Sequence, residues 1–284
     1  MASARLPRLY GIAKVKTPIR PPNRLVGTVL RYQRLVSGFS NWPLQLAAKW
    51  GWLGKNTLLL RTRSGWQIEI PWRLQHTFKE IFLYGSYLHP HLLARLPESP
   101  VVVDVGGNVG FFSLFALDLR PGARCFTFEP MKGNFAQLQR NHQLNPKADW
   151  RLFQAAVAGK DGTVQIYSPS GQPLVTDAFI GKLRESSGCA SGTSDEVAAC
   201  TLETMFAREG IQHCDWLKLD CEGAEYEILY GAPASLFDRI SAITMETHLM
   251  DGAMNTTEAI SDYLEQLGYD IWLTGDIVYA LKRG

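Results

Sequence analysis

From about residue 100 onward the chain alternates short apolar runs with segments whose apolar residues recur every three or four positions. Val101-Val102-Val103 is a continuous β-branched run, as a strand buried on both faces of a parallel sheet requires. Residues 125–128, 150–157, 216–219 and 240–245 read as further strands, with a short extra one over 163–167. Helices are expected over 110–119, 135–144, 224–230 and 256–267, the last stopped by Gly268. Two final strands, 271–273 and 277–281, flank a Thr274-Gly275-Asp276 turn and read as a hairpin. Repeated strand–helix–strand units imply a mostly parallel sheet with helices on both faces, an α/β fold.

The first 75 residues follow a different pattern. Residues 1–24 carry Pro7, Pro18, Pro21 and Pro22 among basic residues and read as an extended arm. Two short helices are expected within 24–53, separated near Asn41-Trp42-Pro43. Residues 58–61 and 66–70 form a hairpin around Ser64-Gly65, and a helix follows over 76–88. The expected organisation is a basic α/β extension over residues 1–75 and a main domain over 76–284. Residues 168–195, rich in Ser, Gly, Thr and Asp, read as a long loop that forms a flap over an acceptor site.

Charge sharpens this division. The formal net charge of the 284 residues is only +2, yet 12 of the 29 basic residues and none of the 27 acidic ones precede Glu69. A basic arm of this kind is expected either to be solvated or to touch an anionic membrane surface or substrate; Arg-rich, acid-poor composition also fits a transit peptide. No apolar run is long enough to span a bilayer, and no nucleic-acid partner is expected. The expected location is cytoplasmic, with membrane association open. The five cysteines have no CxxC spacing, which excludes an evident zinc site and fits a reducing compartment.

In α/β sheets ligands bind beyond the carboxyl ends of the strands, so the residues there carry the chemistry. After the first strand comes Asp104-Val105-Gly106-Gly107-Asn108-Val109-Gly110. Its glycines permit close backbone approach to a ligand, but their spacing is not that of the dinucleotide fingerprint. The opening carboxylate suits a cofactor bearing an amino acid. Glu129, just past the second strand, lies where a carboxylate accepts two hydrogen bonds from a ribose diol. Asp220 and Glu222 follow the fourth strand, and Glu246 and His248 the fifth.

The blocks VVVDVGGNVGFFS, FTFEP, CTLETM, WLKLDCEGAEYEILYGA and ITMETH, in that order, resemble the FkbM-family methyltransferases over roughly residues 78–273. The resemblance implies a Rossmann-like class I methyltransferase sheet, S-adenosylmethionine as cofactor, and O-methylation of a hydroxyl on a glycan or polyketide-like small molecule. It carries Asp104, Gly106, Asn108, Gly110 and Glu129 over as cofactor-site candidates. One departure stands out: family members commonly read DVGAN, and this chain has Gly107 in the alanine position. For the proton of the acceptor hydroxyl, His248 is the first choice of general base and Asp220 the second. No metal is expected, a divalent ion on Asp220, Glu246 and His248 being the minor alternative. A nicotinamide-dependent oxidoreductase and a non-catalytic binding module are the competing readings.

Overall fold

The computed structural model describes residues 24–169, 174, 179–180, 192–248 and 250–283. In chain order the elements are α1 (Arg24–Gly38), α2 (Pro43–Lys49), β1 (Leu58–Arg61), β2 (Gln67–Ile70), α3 (Gln75–Phe78) with a π-helical continuation (Lys79–Tyr84), α4 (Pro90–Arg95), β3 (Val101–Val105) and α5 (Phe111–Leu119). Then come β4 (Arg124–Phe128), α6 (Lys132–Gln143), β5 (Asp149–Phe153), β6 (Ala156–Val157), β7 (Gly162–Pro169), β8 (Phe179–Ile180), β9 (Gly192–Cys200) and α7 (Leu202–Arg208). The chain closes with β10 (Trp216–Leu219), α8 (Glu225–Gly231), β11 (Ala242–Glu246), α9 (Thr257–Gln266), β12 (Tyr269–Thr274) and β13 (Ile277–Lys282).

Seven strands form the central sheet in the order β12-β13-β11-β10-β3-β4-β5. Strands β5, β4, β3, β10 and β11 run parallel, and the β12–β13 hairpin joins antiparallel through β13. The chain leaves β3 for β4 on one side and later returns to β10 on the other, so the topological switch lies between β3 and β10. The parallel sheet and terminal hairpin agree with the sequence pattern.

Helix α5 explains the N-terminal layer. All nine of its residues are buried, and a helix buried on every side needs a cover on both faces. The sheet provides one. The other comes from the extension, where Phe78 and Phe82 meet Phe111 and Phe115 edge to face. Leu35, Phe39, Leu58, Leu60, Ile68 and Ile70 share this core with α5 and α6. The hairpin is also tied by polar groups. The Ser64 hydroxyl donates to buried Asp118, and Asn141 of α6 and Asn145 just past its end bond the β2 backbone at Glu69 and Gln67. These amides satisfy a strand edge that would otherwise stay unpaired. The expected boundary at residue 75 therefore falls within a continuous packed layer.

Three expectations are corrected. The run 150–157 is two strands, and β6 leaves the central sheet for a second one, ordered β6-β9-β7-β8. The supposed loop 168–195 is entered by a long ladder in which β7 and β9 pair from Gly162↔Ala199 to Pro169↔Gly192. The strand ends within that segment read as loop because Ser194 is exposed and Asp195 only half-buried, while the apolar face lies farther along, at Val164, Ile166, Val197 and Ala199. Residues 170–173, 175–178 and 181–191 of that segment, like the arm before residue 24, lie outside the described residues. The helix expected over 76–88 ends early, at Gly85, whose left-handed φ of 68° closes the π-helical run.

Candidate active site

A cavity of about 360 Å³ opens at the carboxyl ends of β3, β4, β10 and β11. Its lining includes Gly106, Gly107, Asn108, Glu129, Asp220, Glu222, Glu246 and His248. Asp104 and Gly110 are not among the lining residues, and their geometry shows what they do instead.

Asp104 is fully buried beneath the turn. It accepts from the Ser113 hydroxyl at 2.7 Å and faces the Lys218 ammonium at 3.3 Å. Gly110 opens α5 with φ 86°, and a Cβ there would come within 2.6 Å of Leu138 and Trp150. Gly106 has the same kind of constraint: a Cβ would sit 1.8 Å from the Asp220 carbonyl oxygen. These three residues shape the turn through packing and charge.

Glu129 is 4% exposed. Its carboxylate accepts from the backbone N–H of Asn108 and of Met131, at 2.8 and 2.9 Å, and from the Asn134 amide at 3.4 Å. Burial pushes its pKa up to about 7, against the pull of those hydrogen bonds. The arrangement fixes the carboxylate at the cavity wall before any ligand arrives. A pre-oriented acceptor beside the backbone of a Gly-rich turn is the donor–acceptor set that an adenosine ribose needs, so the residues present fit the cofactor.

Two residues that sequence reasoning passed over hold the other half of the site. Lys218 pairs in register with Asp104 across β10 and β3. Its ammonium lies 2.8 Å from the Gly106 carbonyl and 3.5 Å from Asp220 Oδ2. Burial works to neutralise it, but Asp104 and Asp220 outweigh burial and hold its pKa above the usual lysine range. The signal was a charged residue within the apolar run WLKL, and a buried charge needs a partner. Tyr87, from the segment before α4, carried no comparable signal. Its hydroxyl lies 2.9 Å from Asp220 Oδ2 and 2.8 Å from Glu246 Oε2. One O–H cannot donate to two carboxylates at once, so the three groups share protons. Burial and the Asp220 charge raise the pKa of Glu246, which favours its holding a proton.

His248 is clamped. Its Nδ1 lies 3.2 Å from Glu225 Oε1 and its Nε2 3.4 Å from Glu222 Oε2. Burial opposes the charged ring, but Glu225, Glu222 and Asp220 raise its pKa to about 9. Glu225 also accepts from the Cys221 and Gly223 N–H groups, holding the turn after β10. Asp220, Glu225 and His248 offer ligand atoms within 4.8 Å of one another. Glu246 is not in that set.

The strand order, with the antiparallel hairpin at one edge and the cavity at the topological switch, is that of the class I methyltransferase fold. Residues 104–271 match the methyltransferase FkbM domain. The chain is 30% identical over 220 residues to methyltransferase sdnD of Sordaria araneosa, covering 69% of this chain and 82% of that protein. It is 29% identical over 228 residues to the 31-O-demethyl-FK506 methyltransferase FkbM of Streptomyces tacrolimicus, covering 72% and 85%. It is 25% identical over 158 residues to the 2-O-methyltransferase NoeI of Sinorhizobium fredii, covering 52% and 64%. The chain belongs to the FkbM methyltransferase family and is an S-adenosylmethionine-dependent methyltransferase.

Proposed function

We propose that the protein transfers a methyl group to a hydroxyl of a neutral, polyhydroxylated small molecule such as a glycan. The observation that carries this reading is the Tyr87–Asp220–Glu246 cluster in the wall of the cavity that Glu129 also lines, a proton-acceptor set. Two of the relatives are named as O-methyltransferases or act on an O-demethyl compound, which supports the hydroxyl as acceptor.

When bound, S-adenosylmethionine would supply an electrophilic methyl on a sulfonium, with a neutral thioether as the leaving group. Asn108 and Glu129 would hold its ribose end. Lys218 fixes the Gly106 carbonyl and Asp220 in one frame, so the turn and the acceptor wall keep their separation. The acceptor proton passes to the Asp220–Glu246 pair, with Tyr87 holding both carboxylates in place. His248 then serves as a cation that balances Glu222 and Glu225, a different role from the free base expected of it. Because Glu80, Asp220, Glu222, Glu246 and Asp276 all line the cavity, an anionic acceptor group is disfavoured there.

The test is incubation with methyl-labelled S-adenosylmethionine and matched pairs of neutral and phosphorylated sugars or polyols. Label in an acid- and base-stable ether of the neutral member is expected. Label only in phosphorylated or amine acceptors refutes the reading.

A further inference from the structure

The solvent-facing side of α1 is apolar. Val26, Val29, Leu30 and Val36 are all exposed, Val29 at 64%, and they recur at helical spacing along one stripe broken by Gln33. The opposite side carries buried Leu35 and uses Arg34 to bond the Leu83 carbonyl. An apolar stripe turned toward water is the reverse of what a self-contained soluble helix presents.

The stripe continues into an aromatic and cationic patch. Tyr32 stands one turn from both Val29 and Val36 and meets the Lys49 ammonium at 2.5 Å, at the end of α2. Next to Lys49 lie Trp50 and Trp52, 58% and 74% exposed, with ring centroids 5.2 Å apart. Lys55 sits over the ring of half-exposed Trp72. Arg31, Lys49 and Lys79 crowd together closely enough that burial and the other two cations lower the pKa of Lys79. No acidic residue precedes Glu69, so the first 68 residues bring no negative charge to this face.

We infer that this face, formed by the α1 stripe, Trp50, Trp52 and the surrounding cations, docks the enzyme peripherally on an anionic lipid bilayer. Apolar and indole side chains enter the headgroup region while lysine and arginine stay at its charged surface. Among the described residues no helix is long and apolar enough to cross a membrane. The orientation also follows. The run Lys79–Tyr84 contributes Lys79 to the cationic face and Glu80 and Ile81 to the cavity wall. Docking on this face brings the cavity alongside the bilayer, where a lipid-carried acceptor would be within reach.

The experiment is co-sedimentation of the full chain with phosphatidylcholine vesicles that contain or lack phosphatidylglycerol, at low and high salt. The expected result is binding to the anionic vesicles that weakens with salt. A Lys49→Glu/Lys55→Glu variant should bind on the order of tenfold more weakly or worse, and Trp50→Ser/Trp52→Ser should also lose binding. Both variants change exposed positions, and unchanged S-adenosylhomocysteine affinity and thermal midpoint verify that each is folded. Equal binding to both vesicle types, or undiminished binding of the charge-reversed protein, overturns the inference. So does self-association in light scattering that the tryptophan variant abolishes, or tighter binding to a mixed-sequence RNA at the same salt.

Discussion

The methyl group of Thr127 occupies the space that a side chain on Gly107 would need: a Cβ built there falls 2.1 Å from Thr127 Cγ2. Thr127 cannot turn aside easily, because its hydroxyl is bonded to Ser113 at 2.6 Å and to the Trp150 indole at 2.7 Å. The glycine that departs from the common family motif is thus coupled to a threonine one strand over. Gly107→Ala alone should cost about 1–3 kcal/mol through overpacking. Adding Thr127→Ser, which keeps the hydroxyl and removes the methyl, should recover most of it. Denaturant melts of the two single variants and the double variant measure the coupling, and additive effects would contradict it.

Glu129→Gln should weaken S-adenosylhomocysteine binding by on the order of 1.5–3 kcal/mol, the value of a hydrogen bond to a charged group. The wild-type affinity should fall as pH drops through about 7, where the buried carboxyl takes up a proton and loses acceptor capacity. Calorimetric titration across pH, with the Gln variant showing no such slope, checks both points.

Tyr87→Phe and Asp220→Asn should each lower turnover by about 10²-fold or more while cofactor affinity changes little, as for loss of the hydroxyl that positions the carboxylate pair and of one proton-accepting carboxylate. If the carboxylate pair takes the proton, turnover falls on the acid side and stays level through pH 9. A rise through about 9 in the kcat profile would instead return the base role to His248.

The clamp on His248 also has a consequence for stability. Its pKa in the folded protein is raised from 6.5 to about 9. The contribution of the charged ring is therefore full below 6.5 and is lost as pH rises through 9. The difference in thermal midpoint between wild type and His248→Gln should shrink over that interval. A difference that stays constant or widens contradicts the ion cluster.

Replacing residues 181–191, between β8 and β9, by a short Gly-Ser linker keeps the β7–β8 and β7–β9 pairings and should leave cofactor binding and thermal stability intact. Ile166, in the ladder, lines the cavity, so loss of acceptor turnover is expected if the segment covers the acceptor. Retained turnover would remove the flap from the acceptor site. In the same assays EDTA is expected to have no effect, since Glu225 is already engaged by two backbone N–H groups and His248.

By itself the sequence pointed to the parallel sheet, because strands buried on both faces read as near-continuous apolar runs, as Val101 to Val103 does and as Trp216 to Leu219 does apart from Lys218. It also pointed to the loops after those strands, where Glu129, Asp220 and His248 lie. The tertiary structure alone decided what surrounds each of them. Asp104 and Glu129 look alike as carboxylates at strand ends, yet one is sealed against Lys218 and Ser113 and the other faces the cavity. Tyr87 joins Asp220 and Glu246 from 133 and 159 residues away, and no local pattern records such a contact. Periodicity reports which residues avoid water. Protonation and function depend on which charges meet once water is gone, and that is set by packing between distant segments.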